Sequence, residues 1–321
     1  MKKTTLLPML LGMVVSASAL AETWNMPTPY GDANHPTQVA RSFAEEIAKN
    51  TGDKLTIKVH SGASLIKHPE IYGAVRSRQV QLGEVFGGRL GNNHPVFKLD
   101  NLPFLATTFD SAQKLYQATK PEITKQLAKD GMTLLYTVPW PAQDLYSNKV
   151  VNSLADLKGL KMRAYSPTTS RLADLMGSTP VNVAFGEVAQ AFTTGVIDGM
   201  ITSPSTGVNN QSWDYIKNFT TVSAWIPKNM VFVNSKVLAK LDQATQDVIW
   251  AAAANAEKKG WALGAKNAVE HTKILGDKGI IVSAPSATLT SELQAIGATM
   301  LDEWLAEAGA EGQAIIDAYN K

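Results

Sequence analysis

The stretch Gly159-Leu160-Lys161-Met162-Arg163 is followed, after a helix-like segment, by Thr194-Gly195-Val196-Ile197-Asp198-Gly199. In the first stretch an arginine ends a short apolar run, which is typical of a β-strand. The second stretch is a glycine-punctuated turn that leads into another apolar run. A strand, a helix and a turn in this order predict an α/β unit with Arg163 at the carboxyl end of a strand. Ligands of open α/β sheets bind at such positions.

The same alternation of strand-like and helix-like segments extends outward from this block. Strands are predicted at Thr23–Met26, Leu55–His60, Leu82–Phe86, Met132–Val138, Leu160–Tyr165, Pro180–Val183 and Gly199–Thr202. Helices are predicted at Gln38–Lys49, Ser111–Lys129, Thr168–Met176 and Glu187–Thr194, and Pro121 is expected to interrupt the second of them. This alternation predicts an α/β fold with mostly parallel sheets flanked by helices.

Two strand-like crossings, Met132–Trp140 and Thr220–Asn234, bracket the central block, and a long helical region follows from Asp242 towards Leu275. Crossings on both sides of a self-contained block predict two lobes joined by hinge strands and a long helix. A single doubly wound domain is the alternative. The predicted lobe I comprises residues 22–139 and about 229–270, and lobe II comprises residues 140–228 and about 271–321.

The first 21 residues have the features of a secretory signal peptide. Lys2 and Lys3 form a basic start, Leu6–Val15 an apolar centre, and Ala19-Leu20-Ala21 a small-residue cleavage site. We therefore predict cleavage after Ala21 and a periplasmic protein. Beyond this segment no run approaches the roughly 18 apolar residues of a membrane-spanning helix.

Composition excludes several classes of function. Without Lys2 and Lys3, the 30 basic residues become 28 and equal the 28 acidic ones, which argues against binding to nucleic acid or anionic membrane surfaces. The chain has no cysteine, so disulfides and thiol catalysis are excluded. Its five histidines have no metal-ligand spacing, and we predict neither a metal nor a cofactor.

Catalytic motifs offer little support for an enzyme. Ser64-Leu65-Ile66-Lys67 matches a Ser-x-x-Lys pattern, but the companion motifs of penicillin-binding enzymes are missing. A binding protein without catalytic activity is therefore the favoured prediction. A secreted hydrolase with a dispersed triad is the alternative from another class.

The Gly159–Arg163 block and the turn at Thr194–Gly199 resemble those of the periplasmic solute-binding proteins of TRAP transporters, the DctP-type family. The resemblance extends over nearly the whole mature chain in the order of elements. It implies the two-lobed periplasmic-binding-protein fold and an arginine, here Arg163, that clamps a carboxylate of the ligand. It also implies delivery of that ligand to the TRAP membrane permease subunits.

The turn itself departs from the family pattern. Many members continue with Gln-Glu-Asn-Pro, whose asparagine contacts the ligand, whereas Asp198-Gly199 is followed here by Met200-Ile201-Thr202-Ser203-Pro204-Ser205. Hydroxyls of Thr202, Ser203 or Ser205 are therefore candidates to replace the amide. The alternative is that they cap a helix that begins at Pro204, and Asp198 is expected to order the turn.

An arginine at position 163 can hold a carboxylate through two parallel hydrogen bonds. A surface ion pair with Asp156 or Asp174 is the alternative. Aromatic residues at predicted strand ends are further candidates for the ligand cleft, although such residues are often core. They are Trp24, Tyr30, Phe86, Trp140 and Tyr165.

Glu84 interrupts the apolar run Leu82–Phe86, and a carboxylate there must be exposed, paired or functional. One interpretation is a salt bridge to Arg89 or Arg76. The other is a counter-charge for an amine or zwitterion held between aromatic faces. The favoured ligand is a small organic acid, with the amine or zwitterion as the alternative.

Overall fold

A computed structural model describes residues 21–321 of the 321-residue chain, so the predicted signal peptide, apart from Ala21, lies outside the described residues. The strands are β1 Glu22–Pro27, β2 Leu55–His60, β3 Leu82–Phe86, β4 Met132–Pro139, β5 Asp144–Ser147, β6 Lys161–Ala164, β7 Thr179–Asn182, β8 Gly199–Thr202, β9 Asn218–Thr220, β10 Lys228–Asn234 and β11 Ile281–Ser283. The helices are α1 His35–Thr51, α2 His68–Arg76, α3 Phe109–Lys129, α4 Pro167–Leu175, α5 Val188–Thr193, α6 Pro204–Asn209, α7 Ser235–Leu238, α8 Gln243–Asp277 and α9 Ala287–Asn320.

The strands separate into two groups, which gives the predicted two-lobed α/β fold. The first group consists of the pair β1-β2 and the three-stranded sheet β3-β10-β4, with strands from residues 22–139 and 228–234. The second group is a six-stranded sheet in the order β11-β9-β5-β8-β6-β7, with strands from residues 144–220 and 281–283. This separation supports our proposal that the lobes divide near residues 139 and 229.

Two strands near the points where the chain passes between the lobes, β5 and β10, are antiparallel to their neighbours. β10 pairs antiparallel with both β3 and β4, and β5 pairs antiparallel with both β8 and β9. The pairs β1-β2, β6-β7, β6-β8 and β9-β11 are parallel, so the described strands form four parallel and four antiparallel pairs, a smaller parallel share than predicted. The crossing predicted at Thr220–Asn234, with a break at Pro227, contains the last residue of β9 and then β10, which begins directly after that proline.

Helix α8 links the two groups of strands. It begins at Asp242, whose side chain accepts a hydrogen bond from the Thr245 amide at 2.8 Å. Along its length α8 packs on α1 and β4 in the first group, and then on α6 and β11 in the second. Gly260 and Gly264, in its middle, do not end the helix. Gly260 lies against Val138 and Gly264 against Pro139, where the absence of side chains on the glycines lets α8 approach β4 closely.

The expectation that Pro121 interrupts helix α3 is wrong. The helix runs unbroken from Phe109 to Lys129 with the proline inside it. Buried residues on both sides of Pro121, including Leu115 and Ile123, hold the two halves against the core, and this packing offsets the lost backbone hydrogen bond. None of the helices in the described part of the chain is long and apolar enough to cross a membrane.

Candidate functional site

A cavity with about 450 Å³ of space free of protein atoms lies where the two groups of strands meet. Its walls include the ends of β3, β6 and β8, the residue after β4, and the segments that follow β1 and β7. The lining residues are Tyr30, His68, Phe86, Arg89, Trp140, Gln143, Arg163, Tyr165, Ala184, Phe185, Thr202, Ser203, Thr206 and Pro227. The cavity therefore combines aromatic walls, two arginines and a group of hydroxyls.

Arg163 lies near the carboxyl end of β6, between Val181 of β7 and Met200 of β8. Its side chain is 5% exposed, its Nε donates to the Val183 carbonyl at 3.1 Å, and its guanidinium stacks 4.8 Å from the Tyr165 ring centroid. Burial lowers the pKa of Arg163 to about 10, so it remains a cation at neutral pH.

Among the described residues, no carboxylate lies within 4.0 Å of the Arg163 guanidinium. The alternative ion pair with Asp156 or Asp174 is therefore wrong: Asp156 instead accepts hydrogen bonds from the backbone of Asn152 and Ser153. A buried cation without a counter-charge is costly. The arrangement can accept an anion supplied by a ligand.

The aromatic walls meet across the cleft. Tyr30 packs edge-on against Trp140 and against Phe185, with ring centroids 5.0 Å apart in both pairs. Phe86 packs edge-on against Tyr165 at 5.4 Å. Such edge-to-face pairs are favourable beyond the area that they bury. They also bring rings from the two lobes together around the cavity.

Hydrogen bonds behind these rings fix their orientation. The Asn229 Oδ1 accepts hydrogen bonds from the Trp140 Nε1 at 2.9 Å and from the Tyr30 hydroxyl at 3.4 Å. On the other wall, the Tyr165 hydroxyl donates to Gln143 Oε1 at 2.9 Å. The polar groups of these three rings are thus already hydrogen-bonded within the protein.

Glu84 lies behind this wall and does not line the cavity. It is fully buried; its Oε1 accepts a hydrogen bond from Asn229 Nδ2 at 3.0 Å, and its Oε2 accepts one from the Thr28 hydroxyl. Burial raises the pKa of Glu84 to about 7 against the lowering effect of these two hydrogen bonds. The predicted salt bridge to Arg89 or Arg76 is wrong, since Arg76 lies near Asp130 instead.

The hydroxyls of the turn after β8 are shared between capping and the cavity. Ser203 caps α6 by accepting from the Thr206 amide at 3.1 Å, and the Thr202 hydroxyl donates to Thr206 Oγ1 at 3.0 Å. All three residues line the cavity, whereas Ser205 is fully buried and bonded to His271 at 2.9 Å. Asp198 orders the preceding turn by accepting from the Lys161 amide.

Trp24, like Glu84, is a predicted site residue that does not line the cavity. Trp24 is 1% exposed in the core beneath β1, and its Nε1 donates to Glu22 Oε1 at 2.8 Å. Sequence reasoning missed seven lining residues, which are His68, Arg89, Gln143, Ala184, Phe185, Thr206 and Pro227. His68 accepts a hydrogen bond from the Phe86 amide, and burial lowers its pKa to about 3, so its ring is neutral.

His94, Glu122 and Glu311 form the one described group with ligand atoms close enough for a metal ion. The His94 Nδ1 accepts a hydrogen bond from the Val96 amide, which leaves the proton on Nε2, 3.4 Å from Glu311. Lys125 bonds both carboxylates, at 2.9 Å and 2.6 Å. The three side chains and Lys125 therefore form a polar network in which both carboxylates are already paired with a cation.

A two-lobed α/β fold with an unpaired arginine in an aromatic cleft defines a solute-binding protein. Residues 30–307 match the bacterial extracellular solute-binding proteins of family 7, DctP, and the chain belongs to this family. Membership confirms the resemblance to the TRAP solute-binding proteins.

Three solved structures are similar over nearly the whole chain. DctP7 of Bordetella pertussis, an extracytoplasmic solute receptor binding pyroglutamic acid, is 44% identical with a TM-score of 0.92, covering 94% of this chain and 100% of its own. DctP6 of the same organism, which also binds pyroglutamic acid, is 45% identical with a TM-score of 0.92 and shares of 93% and 99%. A marine metagenome TRAP solute-binding protein specific for pyroglutamate is 37% identical with a TM-score of 0.92 and shares of 94% and 99%.

Proposed function

We propose that this protein captures a small organic acid in the periplasm, after cleavage of its signal peptide, and delivers it to a TRAP-type membrane permease. We further propose that the acid is pyroglutamate or a close analogue. The observation that carries the proposal is Arg163, a buried cation that lines the cavity and has no acidic partner within 4.0 Å among the described residues. The pyroglutamate-binding relatives support the choice of ligand.

The chemistry of pyroglutamate suits the walls of the cavity. Its carboxylate can accept two parallel hydrogen bonds from the Arg163 guanidinium, which is the strongest arrangement for such a pair. Its small lactam ring presents flat faces to the rings of Tyr30, Trp140 and Phe185. The lactam carbonyl and N–H require a donor and an acceptor, which hydroxyls such as those of Thr202 and Ser203 supply.

The site gives less support to an amine or a zwitterion. Such a ligand was expected to use Glu84 as its counter-charge, but this carboxyl lies behind the wall and is bonded to Asn229 and Thr28. The remaining charged groups that line the cavity, Arg89 and Arg163, are cations and repel an ammonium. A small carboxylate is therefore the ligand class that we propose.

We also propose that the protein acts without catalysis. The Ser205–His271 pair is the arrangement most like part of a triad, with a 2.9 Å contact, but Ser205 is fully buried and does not line the cavity. Its hydroxyl is therefore closed to a substrate. Sustained turnover of ester or amide substrates by the purified protein would contradict this part of the proposal.

Calorimetry with pyroglutamate tests the ligand, with proline and glutamate as matched probes. Proline keeps the ring and carboxylate but adds an ammonium, and glutamate opens the ring. We expect pyroglutamate to bind more tightly than both, and to raise the melting temperature with the logarithm of its concentration relative to the dissociation constant. Equal or tighter binding of proline would favour the zwitterion instead.

A further inference from the structure

The C-terminal helix α9 passes from one lobe to the other, outside the ligand cavity. Near its start, the Glu292 carboxylate accepts a hydrogen bond from the Leu154 amide of lobe II at 2.7 Å. Further along the helix, the Trp304 Nε1 donates to the Pro95 carbonyl of lobe I at 2.7 Å. Helix α9 therefore has polar contacts with both lobes.

Two glutamates one turn apart on α9 pair with cations from different lobes. Glu303 accepts two hydrogen bonds from Arg171 of α4 in lobe II, from Nε at 3.0 Å and from Nη2 at 2.5 Å. Glu307 accepts hydrogen bonds from the Nζ of Lys98 at 2.6 Å. Lys98 belongs to the short helical turn Pro95–Asn101 of lobe I. The two ion pairs thus share one helix but attach it to opposite lobes.

The part of α9 that carries both glutamates packs on lobe I. Beyond them, Glu311 pairs with Lys125 of α3 at 2.6 Å, and the Tyr319 hydroxyl donates to the Leu105 carbonyl at 3.0 Å. These contacts and that of Trp304 all go to residues of lobe I. The Lys98–Glu307 pair therefore lies within lobe I, whereas the Arg171–Glu303 pair connects lobe II to it.

The interface between α4 and α9 is loosely packed around the connecting pair. A cavity with about 390 Å³ of space free of protein atoms lies there, with Pro167 and Thr168 on the side of α4 and Met300 and Trp304 on the side of α9. In the described part of the chain, the Arg171–Glu303 pair provides the only hydrogen bonds between these two helices. Movement of α4 away from α9 would thus break the pair with little loss of packing.

We propose that the Arg171–Glu303 pair is a latch that stabilises the closed arrangement of the lobes and slows release of the bound ligand. The inference rests on the proposed function, because capture between two lobes involves their closure around the ligand. The latch has the two-bond geometry that makes an arginine–carboxylate contact strong. Its side chains are 46% and 43% exposed, so it is also weak enough to open and is screened by salt.

The test compares pyroglutamate affinity and dissociation rate in the wild type, Arg171→Gln, Glu303→Gln and the double variant. We expect each single variant to weaken affinity about two- to fivefold, mainly through faster dissociation, because opening no longer has to break the pair. The double variant should bind no more weakly than the weaker single variant, since both changes remove one contact. The reversed pair, Arg171→Glu with Glu303→Arg, should restore affinity to within about twofold of the wild type.

Salt provides a second readout of the same contact. Between about 10 mM and 0.5 M NaCl, the affinity of the wild type should fall more than that of the double variant, because only the wild type has the exposed pair to screen. The contact between Arg163 and the carboxylate is common to both proteins and cancels in this comparison. Equal salt dependence in the two proteins would contradict the latch.

Glu307→Gln is the matched control, because it removes the same charge one turn along α9 but breaks a pair within lobe I. It should change pyroglutamate affinity by less than about 1.5-fold. Unchanged affinity and dissociation in both Arg171→Gln and Glu303→Gln would overturn the latch, even if their stability changed. Losses that add in the double variant, or an equal loss in Glu307→Gln, would also overturn it.

A wild-type protein that does not bind pyroglutamate would refute the proposed ligand and not the latch. The chain has no cysteine, so cysteines introduced at the exposed Lys58 of lobe I and Lys158 of lobe II can carry a pair of spin labels. Without ligand, Arg171→Gln should shift the measured distances between the labels towards longer values, because the closed arrangement is less populated. Identical distance distributions in the two proteins would overturn the latch in that case.

Discussion

Replacement of Glu84 by glutamine is expected to make the protein less sensitive to rising pH. Glu84 is fully buried, and burial raises its pKa to about 7 from a usual value of 4.5. In the unfolded chain this carboxyl ionises near pH 4.5, while in the folded protein it keeps its proton until about pH 7. The folded state then binds more protons, so the free energy of unfolding falls as pH rises through this window.

The size of the effect follows from the interval between the two pKa values. The interval is about 2.5 pH units, and each unit corresponds to about 1.36 kcal/mol, which gives roughly 3 kcal/mol. The Glu84→Gln variant has no ionisation at this site and should avoid that loss. Below pH 4.5 the two proteins should have similar stability, because a neutral carboxyl and an amide have similar shapes and hydrogen-bonding capacity.

The assay is urea unfolding without ligand, measured in steps from about pH 4.5 to 8 for both proteins. Asp144 is a second buried carboxyl whose pKa burial raises to about 7, so some slope should remain in Glu84→Gln. Glu303→Gln is the control: this exposed glutamate has a lowered pKa because it pairs with Arg171, and its loss should not flatten the profile. Parallel pH profiles for the wild type and Glu84→Gln would refute the reasoning.

The same variant also distinguishes ligand classes. If the ligand is an anion, neutralising a carboxyl behind the cavity wall should leave affinity unchanged or improve it, because repulsion can only decrease. If the ligand carries an ammonium, the same change should weaken binding. If Glu84→Gln lost about tenfold or more in ligand affinity while Arg163→Ala bound the ligand nearly as tightly as the wild type, our choice of ligand class would be reversed.

Three further predictions concern recognition, closure and packing. Arg163→Lys should weaken pyroglutamate binding a few-fold, and Arg163→Ala by at least about tenfold, because charge-assisted hydrogen bonds are lost; unchanged affinity in calorimetry would contradict the clamp. Small-angle scattering should show a smaller radius of gyration with saturating ligand, with bending near residues 138–140 and 225–231, whereas identical profiles would indicate a rigid molecule. Gly297→Ala should lower the free energy of unfolding by about 1–3 kcal/mol, because its Cβ would lie 2.5 Å from the Pro103 carbonyl oxygen. Gly73→Ala in α2, where a Cβ meets nothing within 4 Å, is the control and should be neutral or stabilising.

The sequence predicts the fold well because its signals are local. The apolar run before Arg163 and the turn at Thr194–Gly199 each fix one element of an α/β unit, and the structure has β6 and β8 in those places. Prediction fails where tertiary packing overrides a local preference. Pro121 breaks isolated helices, but in α3 it is held between turns that bury their apolar faces in the core.

The candidate site is less accessible to sequence reasoning, because a lining residue need not differ locally from a core residue. Trp24 and Trp140 are both predicted at strand ends, yet only Trp140 reaches the cavity, since it directly follows β4 while Trp24 lies within β1 and packs in the core. Arg89 has the ordinary sequence context of a surface arginine. That it lines the cavity can be recognised only when the side chains of the other lobe are placed around it.

Asn229 shows the same limit most clearly. In the sequence it is one polar residue in an apolar strand, with no motif around it. In the structure its amide joins Glu84 to Trp140 and Tyr30, residues that are 145, 89 and 199 positions away. Because Glu84 Oε1 accepts a hydrogen bond from the amide nitrogen of Asn229, the amide oxygen of Asn229 faces the two aromatic donors. The orientation of the Tyr30 and Trp140 rings thus depends on a contact between β3 and β10. These two strands pair only after the chain has passed through the other lobe.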